Sequence, residues 1–253
     1  MLMDTKKLEK LVKRSLDSFY ARRLDGLESL PLKKILRRKN PYLFRATGLQ
    51  KASEVIESLL AAYMSASDEG IFGDAFFEPI AQMASGGTVS PSEGVDVAIE
   101  TRKRYLAVAV KSGPNIFNAS QKKRQHEEFV ALRNRLMKLH KPFDALLGHG
   151  YGRKRSQPTK TKIYRERSGQ EFWEELTGDP DFYLKLVRVM KNHPAKHRPV
   201  YQRAWSNAVN RFTREFLQDF CRPSGEIEWE KLVAFNSGKR SEERRESSRH
   251  RGR

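Results

Sequence analysis

Apolar residues recur at helical spacing from the start of the chain. Over residues 4–29, Leu8, Leu11, Val12, Leu16, Phe19 and Tyr20 form one stripe and predict an amphipathic helix. Pro31 then opens a short basic segment, LKKILRRKNPYLFRA. A second helix is predicted over 51–66, with Ala52, Val55, Ile56, Leu59, Leu60 and Tyr63 facing inward. Residues 71–84, IFGDAFFEPIAQMA, are apolar, with Asp74 and Glu78 embedded four apart at the spacing of one helix face. The turn residues of GGTVSPSEG mark a loop after them.

Past that loop the period shortens to two. GVDVAIE and RYLAVAVK are short apolar runs separated by the charged TRKR, which predicts a hairpin turning at Lys103 and Arg104. The second strand ends at SGPN, because a proline cannot donate to a ladder. Helical period returns over 119–140 through Phe129, Leu132, Leu136 and Leu139, capped by Asn118 or Ser120. FDALLGHG (143–150) predicts a third strand, and a fourth is expected near Ile163 and Tyr164. Helices are predicted at 170–177, 181–192, 198–220 and 228–234.

This order of elements predicts an α/β fold: a mixed central sheet flanked by helices, with helical N- and C-terminal additions. The expected organisation is one domain over 1–238, made of N-terminal helices 1–66, an α/β core 67–192 that carries the chemistry, and C-terminal helices 193–238. The tail at 239–253 has no apolar residue and is expected to be disordered and basic.

Charge sharpens the picture. The 49 Lys and Arg outnumber the 31 Asp and Glu, for a net +18, which points to a polyanionic partner. The excess is uneven: residues 1–45 carry +8, residues 46–100 carry −8 with Lys51 as their one base, and residues 101–253 carry +18. An acidic block inside a basic chain suits a protein that holds a divalent metal beside phosphates. A solvated helix face accounts for Glu54, Glu57, Asp68 and Glu69, whereas Asp96 lies inside an apolar run.

Several classes are disfavoured. No apolar run approaches the roughly 18 residues of a membrane span, and the first residues lack the apolar stretch of a signal peptide. Cys221 is the one cysteine, so no intramolecular disulfide forms, and a reducing cytoplasm is the expected compartment. His193 and His197 lack a cysteine pair and are separated by Pro194, which disfavours zinc. No GxxxxGK[ST] or helix-opening GxGxxG is present, so no nucleotide cofactor is expected.

Pairing the hairpin around Lys103 and Arg104 brings Asp96 opposite Lys111, with both side chains on one face. A buried carboxylate beside a lysine is either an ion pair or a metal ligand next to a water-activating ammonium. Lys111 runs directly into Ser112-Gly113-Pro114-Asn115, a tight turn with free N–H groups ahead of a helix start, a geometry suited to an anionic oxygen.

GVDVAIE…YLAVAVKSGPN resembles the Asp…Lys hairpin of the PD-(D/E)XK nuclease superfamily. More narrowly, the chain resembles type II restriction endonucleases of the PmeII type. That resemblance rests on RKNPYLFRA, IFGDAFFEPIA, GVD, VKSGPN, NASQ, GQEFWEELTG and WEKLVAFNSG, and covers roughly residues 5–238. It implies Mg²⁺-dependent hydrolysis of both strands of double-stranded DNA at a short sequence by a homodimer. Asp96 matches the first carboxylate of the motif, a metal ligand, and Lys111 matches its lysine, which positions and helps deprotonate the attacking water. Where the motif has an acid two residues before the lysine, this chain has Ala109. Glu78, embedded in apolar FFEPIA, is the favoured substitute as metal ligand, the competing reading being an ion pair with a nearby arginine. Glu127 on the helix after KSGPN is the other metal candidate, and Asp74 could join the cluster.

For DNA contact the candidates are Arg153, Lys154 and Arg155 in the basic stretch after Gly150-Tyr151-Gly152, and Arg38 and Lys39 near KNPYLF. Ser112, Asn115, Ser120 and Gln121 are candidates near the scissile bond. Lys122, Lys123 and Arg124 open a helix, where the dipole disfavours cations, so an external anion is expected to offset them. Trp173 and Cys221 read as core. The rival functions are a repair or recombination nuclease of the same superfamily and a catalytically inactive DNA-binding protein.

Overall fold

A computed structural model describes residues 4–102, 104–115 and 118–238. Lys103, at the expected hairpin turn, and the tail at 239–253 lie outside the described residues. In chain order the elements are α1 (Thr5–Glu28), α2 (Leu32–Leu36), α3 (Pro41–Ala46) and α4 (Ala52–Phe72), then a π-helical turn (Gly73–Phe77) leading into α5 (Glu78–Ser85). Next come β1 (Thr88–Val89), β2 (Val97–Glu100), β3 (Tyr105–Lys111), α6 (Ala119–Lys138), β4 (Phe143–His149) and β5 (Arg165–Ser168). The chain ends in α7 (Gln170–Thr177), α8 (Phe182–Met190), α9 (His193–Phe220) and α10 (Trp229–Ser237).

The chain's contacts group into two compact units. One comprises the residues through Leu24 and Ala66–Tyr201, and it holds the sheet. The other comprises Asp25–Ser65 and the residues from Gln202 onward. In that second unit α3 packs on α10, and Asn236 Nδ2 donates to the carbonyls of Leu36 and Lys39 at 3.0 and 2.9 Å, closing the end of α2.

The sheet is mixed, as the order of elements predicts. Its strand order is β1-β2-β3-β4-β5, antiparallel from β1 to β3 and parallel from β3 to β5. Alternation divides the side chains between two cores. Val97, Leu106, Val108, Val110 and Leu146 face the helices α5, α7 and α8 and the stripe Leu8, Val12 and Leu16 of α1. Ala98, Ala107, Ala109, Ala145 and Leu147 face Phe129, Leu132 and Leu136 of α6, the crossover between β3 and β4.

Four expectations need correcting or refining. The GGTVSPSEG segment is not all loop, since Thr88 and Val89 add an edge strand against β2. The fourth strand expected near Ile163 and Tyr164 runs from Arg165 to Ser168, just past them, and the buried Tyr164 ahead of it joins the α6-side core. Pro194 does not break a helix, because it sits in the first turn of α9, where its missing N–H has no intrahelical partner in any case. Residues 71–84 are not one α-helix either. Pro79 cannot donate to the carbonyl of Ala75 and crowds it, so the helix widens to a π-turn whose closing bond runs from Glu78 N–H to Gly73 C=O.

Candidate active site

The site forms where the carboxyl ends of β3, β4 and β5 meet the start of β2, the kind of edge at which open α/β sheets place ligands. Asp96 immediately precedes β2 and Lys111 closes β3. The Asp96 carboxylate accepts the Val110 N–H at 2.6 Å, and Lys111 Nζ stands 3.6 Å from the same oxygen. Their side chains are 21% and 25% exposed, partly desolvated yet open to a ligand.

The register differs from the expected one. Val97 pairs with Val108, so continuing the ladder sets Asp96 opposite Ala109, not opposite Lys111. The hairpin closes between Thr101 and Arg104, whose N–H···O=C bond is 2.9 Å, one residue earlier than expected. The resulting offset along the partner strand is two residues. Because side chains alternate with a period of two, an even offset leaves Asp96 and Lys111 on one face, and lysine's long stem spans the difference.

Glu78 comes to the same place from the π-turn. Its pKa is pushed up to about 7, first by burial and then by the negative fields of Asp96 and Asp74; Lys111 opposes this, and a hydrogen bond with Asp74 reinforces it. The arginine pairing weighed for Glu78 goes to Asp74, whose Oδ2 is 3.7 Å from Arg22 Nη1 at the exposed rim. A carboxyl kept partly neutral by burial, and further by two neighbouring carboxylates, is one that an added cation would help to ionise. Among the described residues, no group of three or more His, Cys, Asp or Glu is placed to hold a metal ion. The pair Asp96 and Glu78 still fits Mg²⁺, which is commonly held by one or two carboxylates and fills its remaining positions with water and phosphate oxygens. Glu127 is not brought to this cluster. It is 61% exposed on α6 and lies 3.8 Å from Lys123.

The turn after Lys111 is held from below. Ser112 is buried, and its Oγ donates to Glu69 Oε2 at 2.7 Å, so its hydroxyl is engaged inside the protein and not presented to a phosphate. The Tyr151 hydroxyl donates to Glu69 Oε1 at 3.3 Å. Glu69 reads in the sequence as a solvated helix residue. Nothing local betrays that it ties α4 to this turn, since its partners lie 43 and 82 residues away. A Cβ at Gly113 would meet the Tyr151 ring at 2.4 Å, so the ring seats directly on the turn.

At the start of α6, Asn118 is the cap, and Gln121 completes a capping box by accepting from the Asn118 N–H at 3.0 Å. That removes the Gln121 carbonyl from the expected DNA contacts and leaves Asn115, Ser120 and Lys122 exposed. The other opening cations are offset within the protein instead of by an external anion: Arg124 pairs with Glu93 and Glu128, and Lys123 with Glu127.

The basic stretch divides in the same way. Arg153 is exposed and Arg155 pairs with Glu171 at 3.3 Å, but Lys154 turns inward to Glu166 at 3.0 Å. The buried Glu166 carboxylate also receives Lys162 at 2.7 Å and Ser156 at 3.0 Å. These partners, together with the buried His149, hold its pKa well below the usual carboxylate range. The imidazole is the largest single influence, yet its Nε2 is 3.8 Å away, beyond hydrogen-bond reach, so the lysines and the serine are the direct donors. Both His149 nitrogens are buried without a hydrogen-bond partner among the described residues. The one signal of this cluster in the sequence is a single glutamate among seven cations at 153–167. Arg38 and Lys39 belong to the other unit, Arg38 exposed and Lys39 half-buried. Trp173 and Cys221 are buried as expected.

Among the described residues, no helix is long and apolar enough to cross a membrane. Comparison with curated proteins gives no match. A protein-family model described as type II restriction endonuclease EcoO109I matches residues 6–198, about three quarters of the chain. The family named is EcoO109I and not PmeII, and the chain belongs to it.

Proposed function

We propose that this protein is a site-specific deoxyribonuclease of the PD-(D/E)XK superfamily, similar to the PmeII type in its KNPYLFRA and KSGPN segments, that hydrolyses phosphodiester bonds in both strands of duplex DNA with Mg²⁺. The observation that supports the reading is the Asp96–Lys111 pair at the sheet edge with Glu78 in its electrostatic field, and in this reading Glu78 takes the place of the acid absent at Ala109.

In this mechanism Asp96 and Glu78 would hold the metal, and the Val110 amide fixes the Asp96 carboxylate in place. The chemistry that Mg²⁺ supplies when bound is neutralisation of charge on the phosphate oxygens and a lowered pKa for bound water. Lys111 positions the attacking water and assists its deprotonation. The water oxygen forms its bond to phosphorus as the P–O bond of the leaving nucleotide breaks, the proton lost by the water passing to solvent and a solvent proton completing the leaving hydroxyl. Arg153, Lys122, Asn115 and Ser120, all exposed, supply the contacts to the DNA backbone. A homodimer is the proposed form, since two sites related by a two-fold axis cut two strands symmetrically. The reducing cytoplasm is the proposed compartment.

The test is incubation of the full chain with varied plasmid DNA in Mg²⁺ and in EDTA. Discrete fragments in Mg²⁺ alone support the reading, and run-off sequencing of their ends reports the recognition sequence. DNA binding without cleavage under any divalent metal would overturn it in favour of an inactive DNA-binding protein.

A further inference from the structure

A cavity of about 850 Å³ lies beside the turn that follows Lys111, and the mechanism above makes no use of it. Its size falls within the roughly 300–1,000 Å³ of ordinary small-ligand sites. Its floor is aromatic: the partly exposed Phe72 meets the buried Phe77 edge-on at 5.1 Å, and Phe77 tilts onto the buried Trp173 at 5.9 Å. Trp173 Nε1 donates to the Gly150 carbonyl at 2.9 Å, so the floor is fixed to the cavity wall. That wall is tied to the catalytic strand, because the Gly150 N–H donates to the Lys111 carbonyl at 2.8 Å and the Tyr151 N–H to the Ser112 carbonyl at 3.2 Å. Tyr151, nearly half exposed, lines the cavity while its ring covers Gly113.

The mouth has a different chemistry. Arg153, Arg155 and Glu171 line it, and because Glu171 pairs with Arg155 at 3.3 Å, Arg153 is the cation left for a ligand. Among the described residues, Arg153 has no ionic or hydrogen-bonded partner. An aromatic floor with Arg153 at its side, joined to Lys111 through the Gly150 amide, matches a group that is flat and apolar at one end and anionic at the other.

We infer that this cavity receives a nucleobase unstacked from the bound DNA, with Arg153 holding its phosphate. This rests on the DNA-cleaving reading of the site next to it. The aromatic surfaces open to such a base are those of Phe72, Tyr151 and Tyr183, and stacking on aromatic side chains offsets the cost of unstacking it from the duplex. Gln170, exposed where it lines the cavity, offers hydrogen bonds to the edge of the base.

The experiment uses duplexes carrying 2-aminopurine at successive positions of the cleaved sequence, mixed with the full chain in EDTA, with binding followed separately by anisotropy. Expected is a several-fold rise in fluorescence at one position. Val187 lies on the rim and is strongly exposed, so Val187→Trp fills the mouth without disturbing the core. It should abolish the rise while anisotropy still reports binding. Binding by the wild-type chain with no rise at any position would overturn the inference and leave the cleavage reading standing. A rise unchanged by Val187→Trp and by Arg153→Ala would place the unstacked base elsewhere and overturn it too. If Val187→Trp instead converts a dimer to a monomer in sedimentation with the rise intact, the cavity holds a second copy of this chain and the inference fails. No anisotropy change with any DNA would sink both readings together.

Discussion

The Lys111 ammonium stands 3.6 Å from the Asp96 carboxylate, which also accepts the Val110 amide at 2.6 Å. One oxygen is therefore shared between a backbone donor that fixes it and a cation that a substrate can displace. Removing either side chain should abolish cleavage and spare binding. We expect Asp96→Ala and Lys111→Ala each to lower the single-turnover rate by about 10²–10⁴-fold. Anisotropy with the same duplex should change little. Full activity in the Lys111→Ala variant would remove the lysine from the mechanism.

Glu78 yields a pH prediction in the metal-free protein. Its folded pKa is raised from 4.5 to about 7. Below about pH 4.5 both folded and unfolded states hold the proton, and the group is neutral to stability. Between 4.5 and 7 the unfolded chain releases a proton that the folded chain keeps, so stability falls as pH rises, and it levels off above 7. Glu78→Gln should therefore stabilise the chain at pH 8 in EDTA and leave it unchanged at pH 4. Allowing for solvent screening at this partly buried group, the gain is about 1–2 kcal/mol. Thermal melts across that range check it. Added Mg²⁺ should raise the melting temperature of the wild type more than that of the variant, which lacks one ligand.

Arg153 and Lys154 are adjacent, and the structure separates their roles. Arg153 is exposed, whereas Lys154 is engaged by Glu166 at 3.0 Å. Each phosphate contact contributes roughly 0.9 to the slope of log K against log[salt]. Arg153→Ala should lower the magnitude of that slope by about one unit, and Lys154→Met should leave it almost unchanged while weakening the loop. Equal slope changes would return Lys154 to the phosphate contacts.

Glu166 has the opposite pH sign to Glu78. Its folded pKa is lowered, so its contribution to stability is present above the ordinary carboxylate value and is lost as pH falls through the folded value. Glu166→Ala leaves Lys154 and Lys162 without their partner, although both ammonium groups reach solvent in part. A loss of about 2–4 kcal/mol at pH 7 is expected in denaturant titrations. The difference from wild type should shrink toward pH 3.

The sequence alone determined what depends on local period. Alternation along GVDVAIE and YLAVAVK assigns Asp96 and Lys111 to one face, and that assignment survives the two-residue difference in register because the pleat repeats every two residues. Asn118 at the head of α6 and the apolar stripe of α1 are legible for the same reason, since caps and helix faces are set by neighbours within four residues. Only the tertiary structure decided which carboxylate joins that pair. Glu78 and Glu127 each have a plausible position in the sequence; the π-turn before Pro79 brings Glu78 into the field of Asp96, while the outer face of α6 leaves Glu127 in solvent. Glu69 beneath Ser112 and Glu166 around Lys154 were hidden in the same way. Their charges are compensated by partners distant in sequence, and the energy of a buried carboxylate depends on which donors the packed elements bring to it, which no local spacing encodes.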